Sequence, residues 1–283
     1  MKTIRFVAVM FAMMMAGSMS AQGTKIDPWP WDFPQGIRIV AEPGQYVLSC
    51  DGMYFAAIKE NKDLTSKTLI WYYSKMKKVG AEKSVFEGDD REVPNALIIP
   101  LQIGQKAKKG DVLLTWWQHG SGLMRAKVID ASNPMEPVAV YIDRYWDDKP
   151  ESERNAEKAK GEQLKPNTFT VLKPNDWQPG ATVAYNEGGT WKHGIVMNID
   201  GDKVLVCCWA DHLIATTKDK CKIIPFNEKI KKGDKVYISY VSSFEPGYIV
   251  TQVDKTGTHV WVKKEGSDRV QCKDISEVTK IFN

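Results

Sequence analysis

One phrase of polar and apolar positions recurs four times along the chain. It opens on a turn carrying Gly44, Gly110, Gly180 or Gly233 and continues as a largely apolar run, such as Val112-Leu113-Leu114-Thr115-Trp116-Trp117 or Val236-Tyr237-Ile238-Ser239-Tyr240. A short loop rich in Gly, Asp or Ser comes next. A second run follows, placing Ala or Gly shortly before Val or Ile, as in Ala126-Lys127-Val128 and Gly194-Ile195-Val196. A polar turn (Glu60 to Asp63, Asp130 to Asn133, Asn198 to Asp202, Asp254 to Gly257) then precedes a third run: Thr68 to Tyr73, Pro137 to Ile142, Lys203 to Trp209, and His259 to Lys263. Short apolar runs separated by turn residues at this spacing predict hairpin-connected strands in small all-β units. A recurrence of this length predicts a tandem array.

Two further pieces, Lys220 to Pro225 and Val270 to Ile275, read as short closing strands. The expected units are 36–100, 101–148, 174–228 and 229–283. Between the halves, Pro150 to Gln163 has no apolar face. Pro150 suits a helix start, and Glu151 with Arg154 and Glu157 with Lys160 are favourable at helical spacing, so 149–173 is predicted to be a short charged helical linker. The polar stretch Lys75 to Glu92 is expected to join units one and two. Residues 22–35, with Trp29, Trp31 and Phe33 among prolines, are expected to lie extended with their aromatics buried.

The N-terminus changes the picture of compartment. Lys2 and Arg5 precede an apolar run from Phe6 to Gly17, and small residues follow up to Ala21; this is the pattern of a signal peptide over 1–21. The run is too short for a membrane span, which needs about 20 residues. A periplasmic or secreted protein with no membrane span is the expectation. Loss of the signal lowers the formal net charge from +4 to +2, so the basic face needed for a nucleic-acid partner is not expected.

The 5 cysteines (Cys50, Cys207, Cys208, Cys221 and Cys272) are odd in number and widely spaced, which does not suit a disulfide framework. Most read as small buried hydrophobes. With 10 Trp against 4 His, aromatic surface rather than a His-rich metal site is expected, and no cofactor or metal is predicted.

The Gly-Asp turn at 110–111 and 233–234, the aromatic beside the first loop and the small residue before Val or Ile resemble SH3-like barrels, above all the Tudor and agenet group. The resemblance covers about four fifths of the mature chain as four copies. Gln45 and Ala181 depart from it by replacing the Asp. It implies an all-β fold of tandem small SH3-like barrels, with the polar segment as helical linker. It also implies a cleft in each unit lined by aromatics, since π faces attract diffuse cations.

The matching positions are Trp116, Trp117, Tyr185, Trp191, Tyr240, Phe244 and Tyr248, with Tyr141, Trp209 and Trp261 as further walls. An exported protein does not meet histone tails, so methyl-lysine is not carried over. Extracellular SH3-like domains resembling these bind cell-wall peptides or glycans. The same rings also suit a thin core, where aromatics bury area at roughly 25 cal/mol per Å².

For catalysis the sequence offers Cys207 or Cys208 with His212, a thiol and a base close in the chain. His119 and His193 read as surface turn residues. Asp143, Asp147, Asp148, Glu151 and Glu153 read as a solvated acidic face. The expected function is an exported, non-enzymatic protein that binds a peptide, protein or cell-wall component. A cysteine hydrolase and a structural envelope spacer are the alternatives.

Overall fold

The computed structural model describes residues 29–39, 41–50, 54–60, 67–78, 84–116, 123–143, 161–208, 212–226 and 228–282. Among the described residues every long element is a strand, and the short helical turns are single 3-10 turns. The first unit contains β1 (Tyr46–Ser49), β2 (Tyr54–Glu60), β3 (Lys67–Lys78), β4 (Ser84–Pro94) and β5 (Ile98–Pro100). The second contains β6 (Val112–Trp116), β7 (Leu123–Asp130), β8 (Val138–Tyr141), β9 (Glu162–Gln163) and β10 (Thr170–Val171). The third contains β11 (Thr182–Glu187), β12 (Thr190–Asp200), β13 (Lys203–Cys207), β14 (Leu213–Thr217) and β15 (Cys221–Ile224). The fourth contains β16 (Lys235–Tyr240), β17 (Ser243–Val253), β18 (His259–Lys264), β19 (Val270–Asp274) and β20 (Val278–Thr279).

Pairing follows one rule throughout. In each unit the fifth strand lies beside the first, and the first to fourth follow in chain order, all antiparallel. Units three and four join into one ten-stranded sheet because β12 also pairs β17, with Lys192 opposite Ser243.

The recurring glycine turn has a recurring job. Gly44, Gly110, Gly180 and Gly233 all lie in the left-handed region, at φ 83°, 93°, 88° and 93°. Each donates its N–H to a carbonyl on the second strand, that of Ile58, Val128, Val196 or Val250, at 2.7 to 2.9 Å. The same four residues mark the start of a register shift in each second strand. The turn and the bulge form one unit, because the bulge frees the carbonyl that the glycine N–H takes up.

The residue after the glycine explains the two departures. Asp111 and Asp234 accept from the N–H of Lys108 and Lys231. In unit one the Gln45 amide oxygen accepts the equivalent bond from Glu42, at 2.9 Å. Unit three keeps only the backbone bond from Ala181 N–H to the Gln178 carbonyl. The small residue on the second strand also has a cause. A Cβ on Gly194 would run into the side chain of Val206 on β13.

Three units have a core of their own. Leu113, Val128 and Phe169 lie in the second, Val183, Val196 and Val206 in the third, and Val236, Val250 and Val262 in the fourth. The largest cluster is shared. It joins Val47, Leu48 and Ile98 of unit one to Leu114 and Trp116 of unit two and Met197 and Leu205 of unit three, with Phe33 from the N-terminal segment. That segment is pinned on both sides. Trp31 Nε1 donates to the Leu213 carbonyl at 2.7 Å, Trp29 stands edge-on to Trp31 at 4.7 Å, and the Gln35 carbonyl accepts from Ala96 N–H. Its aromatics are buried or half-buried, as the prolines suggested.

Several expectations change. The stretch from Lys75 to Glu92 is no connector, because β3 runs on to Lys78 and pairs with β4 inside unit one. Of 149–173, residues 161–171 supply β9 and β10 to unit two, and 149–160 lie outside the described residues. Two-residue strands in a polar run carry too little periodicity to be read. In unit four, Val270–Asp274 is the fourth strand, and Val278–Thr279 closes the unit.

Candidate binding surface

The two faces of each strand decide where the expected cleft aromatics go. Trp116 ends β6 with its ring in the shared cluster, 6.3 Å from that of Tyr46. Tyr141 on β8 is buried in the core of unit two, and its hydroxyl donates to the Trp116 carbonyl at 3.3 Å. Tyr185 and Tyr248 lie in the cores of units three and four, and Trp261 is buried as well. Phe244 is buried against Ala184 and Ile224 where units three and four meet. Trp117 and Trp209 lie outside the described residues.

Two of the ten expected aromatics reach the surface among the described residues. Tyr240, at the end of β16, is 50% exposed; Trp191, at the start of β12, is half-buried. Both are carried to the junction of units three and four, since Tyr240 pairs with Ser243 and Ser243 with Lys192.

The junction is built from aromatic rings. Trp191 lies 5.5 Å from Phe282, which in turn lies 5.1 Å from Tyr237 and 5.6 Å from Phe244. The Lys222 ammonium sits over Trp191 at 4.9 Å and over Phe282 at 5.3 Å. A ring face that holds an ammonium in this way is electron-rich and partly desolvated. Sequence reading missed Phe282, Tyr237 and Lys222. They come from the C-terminus and from strands whose partnership across units no local pattern records.

Beside this cluster, Val241 and Ser242 form a two-residue hairpin tip between β16 and β17, at φ 45° and 70°. Both central residues of a type I′ turn need positive φ, which a β-branched residue adopts only under strain. Val241 is also 63% exposed. The Ser242 carbonyl accepts from His193 N–H at 2.7 Å, which docks the tip onto unit three.

Beneath the junction lies a buried polar node. Arg125 on β7 is fully buried. Its Nε and Nη2 donate to Asp143 at 2.7 and 2.5 Å, and its Nη1 donates to Thr182 Oγ1 of unit three. Ser276 of unit four donates to Asp143 Oδ1 at 3.1 Å. Burial works to raise the Asp143 carboxyl, but the Arg125 guanidinium outweighs it and holds the group below the usual carboxylate range.

Asp143 is thus the ion-pair partner of Arg125 within unit two, in a pair tied by hydrogen bonds to units three and four, and not part of a solvated acidic face. The remainder of that acidic run lies outside the described residues. His193 is likewise no surface turn residue: it sits on β12 with its Nε2 buried. Burial, then the nearby Arg125 charge, pulls its pKa down to about 4. His119 lies outside the described residues.

The cysteine pair divides as strand alternation requires. Cys207 packs into the shared cluster. Cys208 faces Tyr185, and burial pushes its thiol up. Cys221 is pushed up to about 11 by burial as well. A raised thiol carries little thiolate, the nucleophilic form. None of the five cysteines is in a disulfide. Among the described residues no group of three or more His, Cys, Asp or Glu is placed to hold a metal ion, and no helix is long and apolar enough to cross a membrane.

No protein-family model matches the chain, and no curated protein matches it.

Proposed function

We propose that the chain is an exported, non-enzymatic binding protein of four tandem SH3-like barrels that presents an aromatic surface to a peptide, a protein or a cell-wall component. The fifth-first-second-third-fourth strand order in every unit, with its glycine turn and bulge, supports the barrel reading. The observation that carries the binding reading is the junction of units three and four. There a half-buried Trp191 backed by Phe282 lies near the exposed Tyr240 and Val241. Exposed aromatic patches bounded by polar residues mark interaction sites, and Lys222 over the rings supports their suitability for an amine. The cysteine hydrolase is the weaker reading, because the Cys208 thiol is held protonated and Cys207 is buried in the shared cluster.

Intrinsic Trp fluorescence during titration with soluble peptidoglycan fragments and with a lysine-containing peptide tests the surface. Saturable binding is expected to weaken at least tenfold in Trp191→Ala and Tyr240→Ala. Binding that neither substitution changes overturns the assignment to this surface.

A further inference from the structure

A second, unrelated site lies where units two and four face each other. A cavity of about 430 Å³ opens between the glycine turn of unit two and the segment that leads from unit three into unit four. Its volume falls within the 300–1,000 Å³ usual for small-molecule sites. Leu172, Phe226, Ile230, Val253 and Ile275 supply an apolar wall drawn from units two and four and from their connections.

The charged groups of the lining are unequal. Asp111 caps its own turn by accepting from Lys108 N–H at 2.7 Å. Glu228 is engaged through both oxygens, accepting from Thr279 Oγ1 at 2.9 Å and from Lys280 N–H at 2.8 Å. Lys127 is different. It leaves β7, is half-buried, and carries its ammonium across the gap to Gly257 of unit four, where a Cβ would lie 2.8 Å from Nζ. Its ammonium forms no ion pair or hydrogen bond among the described residues. Lys229, also in the lining, adds a second positive charge at the rim.

Asp111 and Glu228 keep their charges but neither pairs with the Lys127 ammonium, which therefore stands beside a half-enclosed apolar wall with room for an anion whose body is apolar. We propose that this cavity binds a small amphipathic monocarboxylate, its head on Lys127 and its body against Phe226, Ile230 and Ile275. The site is separate from the aromatic junction, and neither reading depends on the other.

The test uses three probes of equal length and different head: octanoate, octanol and octylammonium. Their binding to the full mature chain is measured by calorimetry and by the ligand-induced shift in melting temperature. Octanoate is expected to bind at least tenfold more tightly than octanol, with octylammonium weakest. Lys127→Gln, a half-buried position whose loss leaves no buried charge, is expected to erase the preference for octanoate while leaving octanol unchanged. Ile230→Trp, which fills the wall, is expected to weaken octanoate and octanol alike. Equal binding of the three probes, no binding of octanoate, or a preference for octanoate that survives Lys127→Gln overturns the proposal. Trp191→Ala leaves octanoate binding unchanged if the two sites are distinct.

Discussion

His193 shows how far one side chain can depart from its sequence reading. It lies four residues into β12 with its Nε2 buried near the Arg125 guanidinium, and its pKa falls to about 4. The unfolded chain binds this proton with a pKa near 6.5. Between about pH 6.5 and 4 the unfolded state therefore carries a proton that the folded state refuses. Stability should fall as pH drops through that window and level off below it, by up to about 3 kcal/mol from this group. Asp143 acts lower: its carboxyl is held below the ordinary range, so its contribution is lost only in stronger acid. Urea unfolding at pH 7 and pH 4.5 checks this. His193→Gln should flatten the difference between the two pH values, and an unchanged difference counts against the assignment.

At the level of elements, the glycine turns were legible because Gly at a fixed offset before an apolar run is a local signal. Their energetic weights differ. Gly180 lies at φ 88°, and a Cβ there would approach Leu114 Cδ1 to 2.9 Å, whereas Gly233 at φ 93° faces open space. Gly233→Ala should cost about 1 kcal/mol from backbone strain alone. Gly180→Ala adds a clash between units and should cost visibly more in the urea midpoint, about 2–3 kcal/mol in all. Equal costs would mean that Leu114 moves aside freely.

The third strands of units two to four were read to within two residues, since their alternation reports one buried face, whereas that of unit one was cut short at Tyr73 where β3 runs on to Lys78. Of the closing strands β15 was read, but β10 and β20 were not, nor was β9, because these three are two residues long and held by neighbours distant in sequence. Nor was the fate of the aromatics. Alternation says that Trp116 and Trp117 face opposite ways. It cannot say that the outward face of one unit, which takes Trp116, is the inner face of a contact with the next.

At the level of the whole molecule, the units are not beads on a string. The shared cluster draws on units one, two and three, and the Arg125 node draws on two, three and four. Arg125 and Asp143 are ordinary charges in the sequence; burial among three units makes them a lock. Removing one partner of a buried pair strands the other charge, at about 3–5 kcal/mol. Asp143→Asn should lower the unfolding free energy from urea titration by that amount and expose the unit junctions to limited proteolysis under conditions where the wild type resists it. A cost below about 1 kcal/mol would show that the pair is dispensable.

The same interlocking bears on what binding would cost. A surface made of loops must be ordered when a ligand arrives, and each immobilised side chain subtracts about 0.5–1.5 kcal/mol from affinity. Here the hairpin tip bearing Tyr240 and Val241 is already held down by the bond from His193 N–H to Ser242, and β12 and β17 run through one continuous sheet. The strain at Val241 is met in folding, long before any encounter. A ligand that meets this junction finds a surface whose entropy has already been surrendered, so even a small contact there can retain most of its gross interaction energy.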